Sequence, residues 1–195
     1  MPVTRSFIAI ELAPDIRIRM NQVIDRLKRL VGSSVRWVPP ENIHITLKFL
    51  GDVASSNIDL ICSVLKSEAL HHRGFDASFS GLGAFPSPNR PRVLWVGIQA
   101  PTALAALYHG VDKATTQLGY AGEERPFSPH LTIGRVSQHA TSQDLGLITR
   151  ALETVAVDNL GTQPINAINL YRSDLSPQGA HYTVLCQIAL QNHLM

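Results

Sequence analysis

The chain has 195 residues, 45% of them hydrophobic, and a formal net charge of +2. That is enough apolar material to bury a core as one domain or two small lobes, and too little charge for a broad nucleic-acid-coating surface, although 13 of the 17 basic residues are arginine, the better bidentate ligand for phosphate. No apolar run reaches the roughly 18 residues of a membrane helix and no signal-peptide pattern is present, which predicts a cytoplasmic protein without membrane contact.

The first element is a short apolar run of strand type, Phe7 to Leu12. Pro14 follows and suits the first turn of a helix; Ile16, Met20, Val23, Ile24, Leu27 and Leu30 recur along that helix at three- and four-residue spacing. Next comes His44-Ile45-Thr46-Leu47. As a strand it turns His44, Thr46 and Lys48 to one face and Ile43, Ile45, Leu47 and Phe49 to the other. Ser55 can cap a second helix carrying Ile58, Ile61 and Leu65, and Phe75 to Ser80 is a further strand. The glycines and prolines between Gly81 and Pro91 predict a loop there.

The second half repeats the first. Val93 to Ile98 is a strand, Pro101 precedes a helix carrying Leu104, Leu107, Val111 and Leu118, and a polar loop from Gly119 to Pro129 leads into His130-Leu131-Thr132-Ile133. Thr141 then opens a helix with Leu145, Ile148 and Leu152, and Ile165 to Tyr171 is the closing strand. The two motif histidines are 86 residues apart (130 − 44), as are the threonines, and the same shift carries Phe7 onto Val93 and Ser55 onto Thr141. Only the closing strands slip, by several residues. The pattern predicts an α+β fold: one duplicated two-lobed domain over 1–195, with repeats at about 5–86 and 91–172. Each lobe is expected to be an antiparallel sheet with helices on its outer face, and the cleft to lie between the lobes. Cys62 and Cys186 lack paired or metal-type spacing and are expected to be buried free thiols.

Two histidines and two threonines facing each other across a cleft are suited to displacement at phosphorus. The attacking oxygen must lose a proton on one side while the leaving oxygen gains one on the other. Imidazole does either near neutral pH, provided one ring is neutral and its partner protonated. Each threonine hydroxyl can donate to a non-bridging oxygen as charge builds there. Two histidines are too few ligands for a catalytic zinc, so no metal and no cofactor are expected. A third copy of the pattern, His181-Tyr182-Thr183-Val184, falls outside the 86-residue frame and reads as an ordinary half-exposed strand. The symmetry of the kit leaves open which histidine is acid and which is base.

The stretch from Arg36 to Gly51, Arg-Trp-Val-Pro-Pro-Glu-Asn-Ile-His-Ile-Thr-Leu-Lys-Phe-Leu-Gly, together with Pro126-Phe127-Ser128-Pro129-His130-Leu131-Thr132-Ile133-Gly134-Arg135, resembles the 2H phosphoesterase superfamily. Within it the chain is most similar to the RNA 2′,3′-cyclic phosphodiesterases, historically called 2′-5′ RNA ligases. The resemblance runs from Phe7 to the final strand. It implies hydrolysis of an RNA terminal 2′,3′-cyclic phosphate to a 2′-phosphate, with 2′-5′ joining of tRNA halves as a related reaction. It assigns His44 as proton donor to the leaving 3′ oxygen and His130 as proton acceptor from water, with Thr46 and Thr132 on the phosphate.

Arg135 matches a family arginine near the phosphate or base, yet strict alternation sets it opposite His130, so a bulge at Gly134 or the end of the strand would have to redirect it. Phe7 could stack on a nucleobase, although an aromatic in a first strand is more often core. Trp37 and Lys48 could border the cleft. The expected partners are RNA 3′ ends bearing 2′,3′-cyclic phosphate, tRNA halves or nucleotides, acted on by a monomer. Two other readings stand beside this one: a phosphodiesterase for small cyclic nucleotides or 2′-5′ oligonucleotides, and a non-catalytic nucleotide-binding module.

Overall fold

Each half of the chain folds in the order its hydrophobic pattern predicts. In the computed structural model, which describes residues 3–99, 101–177 and 179–192, β1 (Val3–Glu11) leads into α1 (Pro14–Val31), with Pro14 in the helix's first turn. A short β2 (Val35–Trp37) and one 3-10 turn precede β3 (His44–Ala54). A second 3-10 turn, starting at Ser55, runs into α2 (Ile58–Ala69), whose cap position falls at Asn57 without a side-chain capping bond. Then come β4 (Phe75–Ser87), β5 (Arg90–Gln99), α3 (Thr102–Thr116) and β6 (His130–Val136). Thr141 caps α4 (Ser142–Thr154) as expected: its hydroxyl accepts from the Asp144 N–H, while the Asp144 carboxylate accepts from the Thr141 N–H at 2.8 Å. The chain closes with β7 (Thr162–Ile165), β8 (Ala167–Ser176) and β9 (Gly179–Ala189).

Among the described residues these strands make two antiparallel sheets, in the orders β3-β1-β8-β9 and β2-β6-β5-β4-β7. The sheets do not coincide with the sequence repeats. The first half's closing strand, β4, pairs with β5 of the second half, and the second half's closing strand, β8, pairs with β1 of the first. The duplication nevertheless governs the register at residue level. Glu11 faces His44 and Gly97 faces His130; Ala9 faces Thr46 and Trp95 faces Thr132. Phe7 faces Tyr171 and Val93 faces Phe85, so the 86-residue frame holds in the closing strands too, at the end nearer the motifs.

Two other expectations change. Gly81 to Pro91 is not a loop: Leu82 and Ala84 pair with Val96 and Leu94, and the β4–β5 hairpin turns only at Pro88-Asn89. Gly81, at φ 75°, absorbs a register shift between Ser80 and Leu82. Pro86 and Pro91 face each other at the far end, where neither has an N–H to give to the ladder. The predicted strand from Ile165 to Tyr171 breaks at Asn166, so that Ile165 ends a strand of one sheet and Ala167 starts a strand of the other.

The helix-facing sides of both sheets share one buried core. Ile8 and Ile10 of β1 and Leu94 and Val96 of β5 belong to the same cluster as Ile16 and Met20 of α1 and Leu104 and Leu107 of α3. Helices from opposite halves pair, α1 with α4 and α2 with α3. The opposite face of the first sheet carries a separate small cluster, Phe7, Ala9 and Tyr171, with Tyr182 packed against it. No helix of the described residues is long and apolar enough to cross a membrane.

The expected free thiols are instead joined. Cys62 of α2 and Cys186 of β9 form a disulfide across a Cα–Cα distance of 6.5 Å, because α2 packs along β9. Linear spacing could not signal this, since the two cysteines are 124 residues apart and meet only through the fold.

Candidate active site

β3 and β6 belong to different sheets yet lie side by side, which brings the two motifs together. Each strand carries a β-bulge at the same place in the repeat. Leu47 has no partner between the Ile8–Lys48 and Ala9–Thr46 pairs, and Ile133 has none between Leu94–Gly134 and Trp95–Thr132. A bulge spends one extra residue and reverses the alternation beyond it. Arg135 therefore returns to the face of His130 and Thr132, and Phe49 to that of His44 and Thr46. The bulge that Arg135 requires is present, one residue before the expected Gly134.

The same device corrects the placement of Lys48. It is 5% exposed and lies on the helix side, where its ammonium is paired with Asp112 of α3 and donates to the Ala121 carbonyl. Lys48 thus ties β3 to α3 and the following loop, outside the cleft.

The two imidazoles are held alike. Nδ1 of His44 lies 2.8 Å from the Asn42 carbonyl oxygen, and Nδ1 of His130 lies 2.7 Å from that of Ser128. A carbonyl only accepts, so in each ring Nδ1 carries a proton and Nε2 is left as the site that gains or gives one. Each ring also rests on an aromatic side chain. Phe7 stacks on His44 with ring centroids 4.7 Å apart and on Tyr171 at 5.1 Å, while Tyr182 meets His44 edge-on at 5.4 Å. On the other side Phe85 meets His130 edge-on at 4.9 Å and is itself in contact with Trp95. Phe7 is 3% exposed; wedged between His44 and Tyr171, it positions an imidazole and has no open face for a base. The exposed aromatic is Phe49, at 66%.

A cavity of about 700 Å³ runs between the sheets, walled by His44, Thr46, Thr132, Arg135, Trp37 and Phe49 among others. His130 is two residues from Thr132 on the same face of β6 but is not itself part of that wall. Trp37 packs over Gly134, where an added Cβ would come within 3.1 Å of its ring and 2.7 Å of Val35. His181, from the out-of-frame motif, borders a smaller hollow of about 300 Å³ on the other side of His44.

Sequence reasoning missed four contributors: Phe49, Phe85, Tyr171 and Tyr182. Three were within reach of the 86-residue shift, which maps Phe49 onto Arg135 and Phe85 onto Tyr171. Tyr182 had no such signal; it sits inside the out-of-frame motif. Among the described residues no three His, Cys, Asp or Glu side chains converge in a group that could hold a metal ion.

Burial drives the His44 imidazole down from 6.5 to about 4, against a smaller upward pull from its bond to the Asn42 carbonyl. Desolvation penalises the charged ring, so the free protein keeps His44 neutral at pH 7, whereas an anion beside Nε2 would favour the imidazolium and raise the pKa. In an NMR titration the His44 ring signals should move near pH 4 in the free protein and at higher pH once phosphate is added. A ring titrating near 6.5 without ligand would contradict this picture of a dry His44.

The family description "LigT like Phosphoesterase" matches residues 10–95. Over 179 residues the chain is 34% identical to the RNA 2′,3′-cyclic phosphodiesterase of Methanothermobacter thermautotrophicus, covering 92% of this chain and 95% of that protein. It is 31% identical to the RNA 2′,3′-cyclic phosphodiesterase of Aquifex aeolicus, over 95% of this chain and 96% of the relative. The crystal structure of TT0787 of Thermus thermophilus superposes with a TM-score of 0.80 at 26% identity, covering 97% of this chain and all of that one. E. coli LigT complexed with 3′-AMP gives 0.77 at 26% identity, over 97% and 99% of the two chains.

Proposed function

This chain belongs to the LigT-like RNA 2′,3′-cyclic phosphodiesterases, a family of hydrolases, and on that premise we propose that His44 and His130 open the cyclic phosphate at an RNA end as general acid and general base. The observation that carries the reading is the matched seat of the two rings. Each Nδ1 is held by a carbonyl two residues upstream, each Nε2 is left available, and each has a threonine two residues downstream on its strand face.

Nε2 of His130 takes a proton from water as the water oxygen bonds to phosphorus. The bond from phosphorus to O3′ breaks, and Nε2 of His44 delivers a proton to O3′. The products are a 2′-phosphomonoester and a free 3′ hydroxyl, and exchange with solvent returns both rings to their starting states. Thr46 and Thr132 donate to the non-bridging oxygens, where the added charge gathers, and Arg135 supplies a fixed positive charge beside them. The low proton affinity of His44 is compatible with the acid role because the substrate brings its own negative charge into the dry site. With a 5′ hydroxyl in place of water, the same pair joins two RNA ends through a 2′-5′ linkage, which makes tRNA halves suitable substrates.

The test is an oligoribonucleotide ending in 2′,3′-cyclic phosphate, incubated with the protein in EDTA and analysed for the position of the product phosphate. A 2′-phosphate is expected, at a rate unchanged by the chelator. A 3′-phosphate, or a requirement for added divalent metal, would overturn the mechanism.

A further inference from the structure

The cleft holds more positive charge than a terminal cyclic phosphate can use. Arg5 of β1, Arg36 of β2 and Arg135 of β6 all line it, and no aspartate or glutamate stands among the residues that wall it. In a chain of net charge +2 that is a local concentration. Elsewhere Arg17, Arg19, Arg125 and Arg172 are each set against a carboxylate, Arg26 and Arg29 donate to backbone carbonyls, and Arg90, Arg92 and Arg150 are spread along the chain rather than gathered in one cavity. The side chains of the three cleft arginines make no hydrogen bond or ion pair with any described residue, although their backbones are paired within the sheets.

Arg36 and Arg135 stand directly opposite each other across the β2–β6 pair. Like charges in that relation weaken a sheet unless an anion lies between or beside them. Arg5 approaches from the other sheet. Burial raises the Tyr182 phenol, while Arg135 and Arg5 pull it back down, so both guanidiniums lie within electrostatic reach of one hydroxyl. The two sheets therefore direct three arginines into a single groove, none of them in an ion pair, although Asp52 stands opposite Arg5 across the β1–β3 pair.

A 2′,3′-cyclic phosphate carries one negative charge, which Arg135 and a protonated imidazole already meet. Arg5 and Arg36 remain, and their natural complements are the phosphodiesters that precede the last nucleotide of a polynucleotide. Resting on the reading of this cleft as a cyclic phosphodiesterase site, we propose that Arg5 and Arg36 grip the phosphates 5′ to the terminal nucleotide. The preferred substrate is then an oligoribonucleotide, and a nucleoside 2′,3′-cyclic phosphate is a poor one.

The experiment compares a pentaribonucleotide ending in 2′,3′-cyclic phosphate with adenosine 2′,3′-cyclic phosphate, using the wild-type protein, Arg5→Gln, Arg36→Gln and the double variant. The wild type should prefer the pentamer in kcat/KM. Each single substitution should lower kcat/KM on the pentamer by about tenfold, mainly through KM, as loss of a charge-assisted hydrogen bond does, and this loss should exceed that on the mononucleotide at least about fivefold. The salt dependence of pentamer binding, read by fluorescence anisotropy, should flatten by about 0.7 in log–log slope per arginine removed.

Equal losses on both substrates would overturn the proposal by assigning the arginines to the terminal nucleotide, and a wild type that turns over both equally well would also overturn it. Should the wild type cleave neither substrate yet bind the pentamer in an Arg5- and Arg36-dependent way, the cyclic phosphodiesterase reading falls and the phosphate track stands. If it neither cleaves nor binds, both are lost.

Discussion

Replacing either His44 or His130 with alanine is expected to lower kcat on a cyclic-phosphate-ended RNA by about 10²–10⁴, the range that a positioned proton-transfer group supplies. Both rings are half-buried and each spends its Nδ1 on one carbonyl, which water can satisfy once the ring is gone. Circular dichroism and melting temperature should therefore stay close to wild type. Two groups that act in one displacement are not additive, so the double variant should lose little more than either single one. The pH profile should be a bell, since one ring must be neutral and the other charged, and removal of one imidazole should erase one limb. His181→Ala is the control: His181 is exposed and lies outside the larger cavity. A comparable loss at His181, or wild-type turnover in His130→Ala, would refute the assignment of the pair.

The second large effect concerns the Cys62–Cys186 bond. Cross-linking residues 124 positions apart removes much of the unfolded chain's freedom, worth about 4–5 kcal/mol in the loop-entropy account. For a chain of this size that corresponds to a fall in melting temperature of about 8–20 °C on reduction. Urea unfolding with and without reductant, and of Cys62→Ser and Cys186→Ser, measures it directly; coincident curves would mean that the cross-link contributes nothing. Activity should fall as well. β9 is an edge strand of its sheet and carries Tyr182, which packs edge-on against the His44 ring, so loosening β9 from α2 loosens the seat of that imidazole.

The strands and helices that frame the cleft were legible in the sequence because their signals are local: alternation for β3 and β6, helical spacing for α1 and α3, a proline at the start of α1, a capping threonine before α4. The two bulges were not. Leu47 and Ile133 are ordinary strand residues, and only pairing with β1 and β5 leaves each without a partner, which is why simple alternation set Lys48 in the cleft and Arg135 outside it. The Gly81 to Pro91 hairpin misled for the opposite reason. Its glycines and prolines are turn-type residues, but the chain uses them to shift register and end a ladder rather than to leave the sheet. Phe7 is an aromatic of a kind that can stack on a nucleobase, and the fold uses its ring as the floor beneath His44. The pairing of the cysteines and the exchange of β4 and β8 are long-range facts to which spacing along the chain gives no access.

The exchange constrains how the halves can exist apart. A polypeptide ending at the Pro88-Asn89 turn would carry β2 without β6, β4 without either β5 or β7, and β1 without β8, bare strand edges in a unit too small to cover them. Two such polypeptides could satisfy each other only by trading closing strands as a symmetric dimer, each contributing one imidazole to a shared groove. Covalent continuity turns that encounter between molecules into a search within one, and leaves each half free to drift from its twin, as Phe49 has from Arg135.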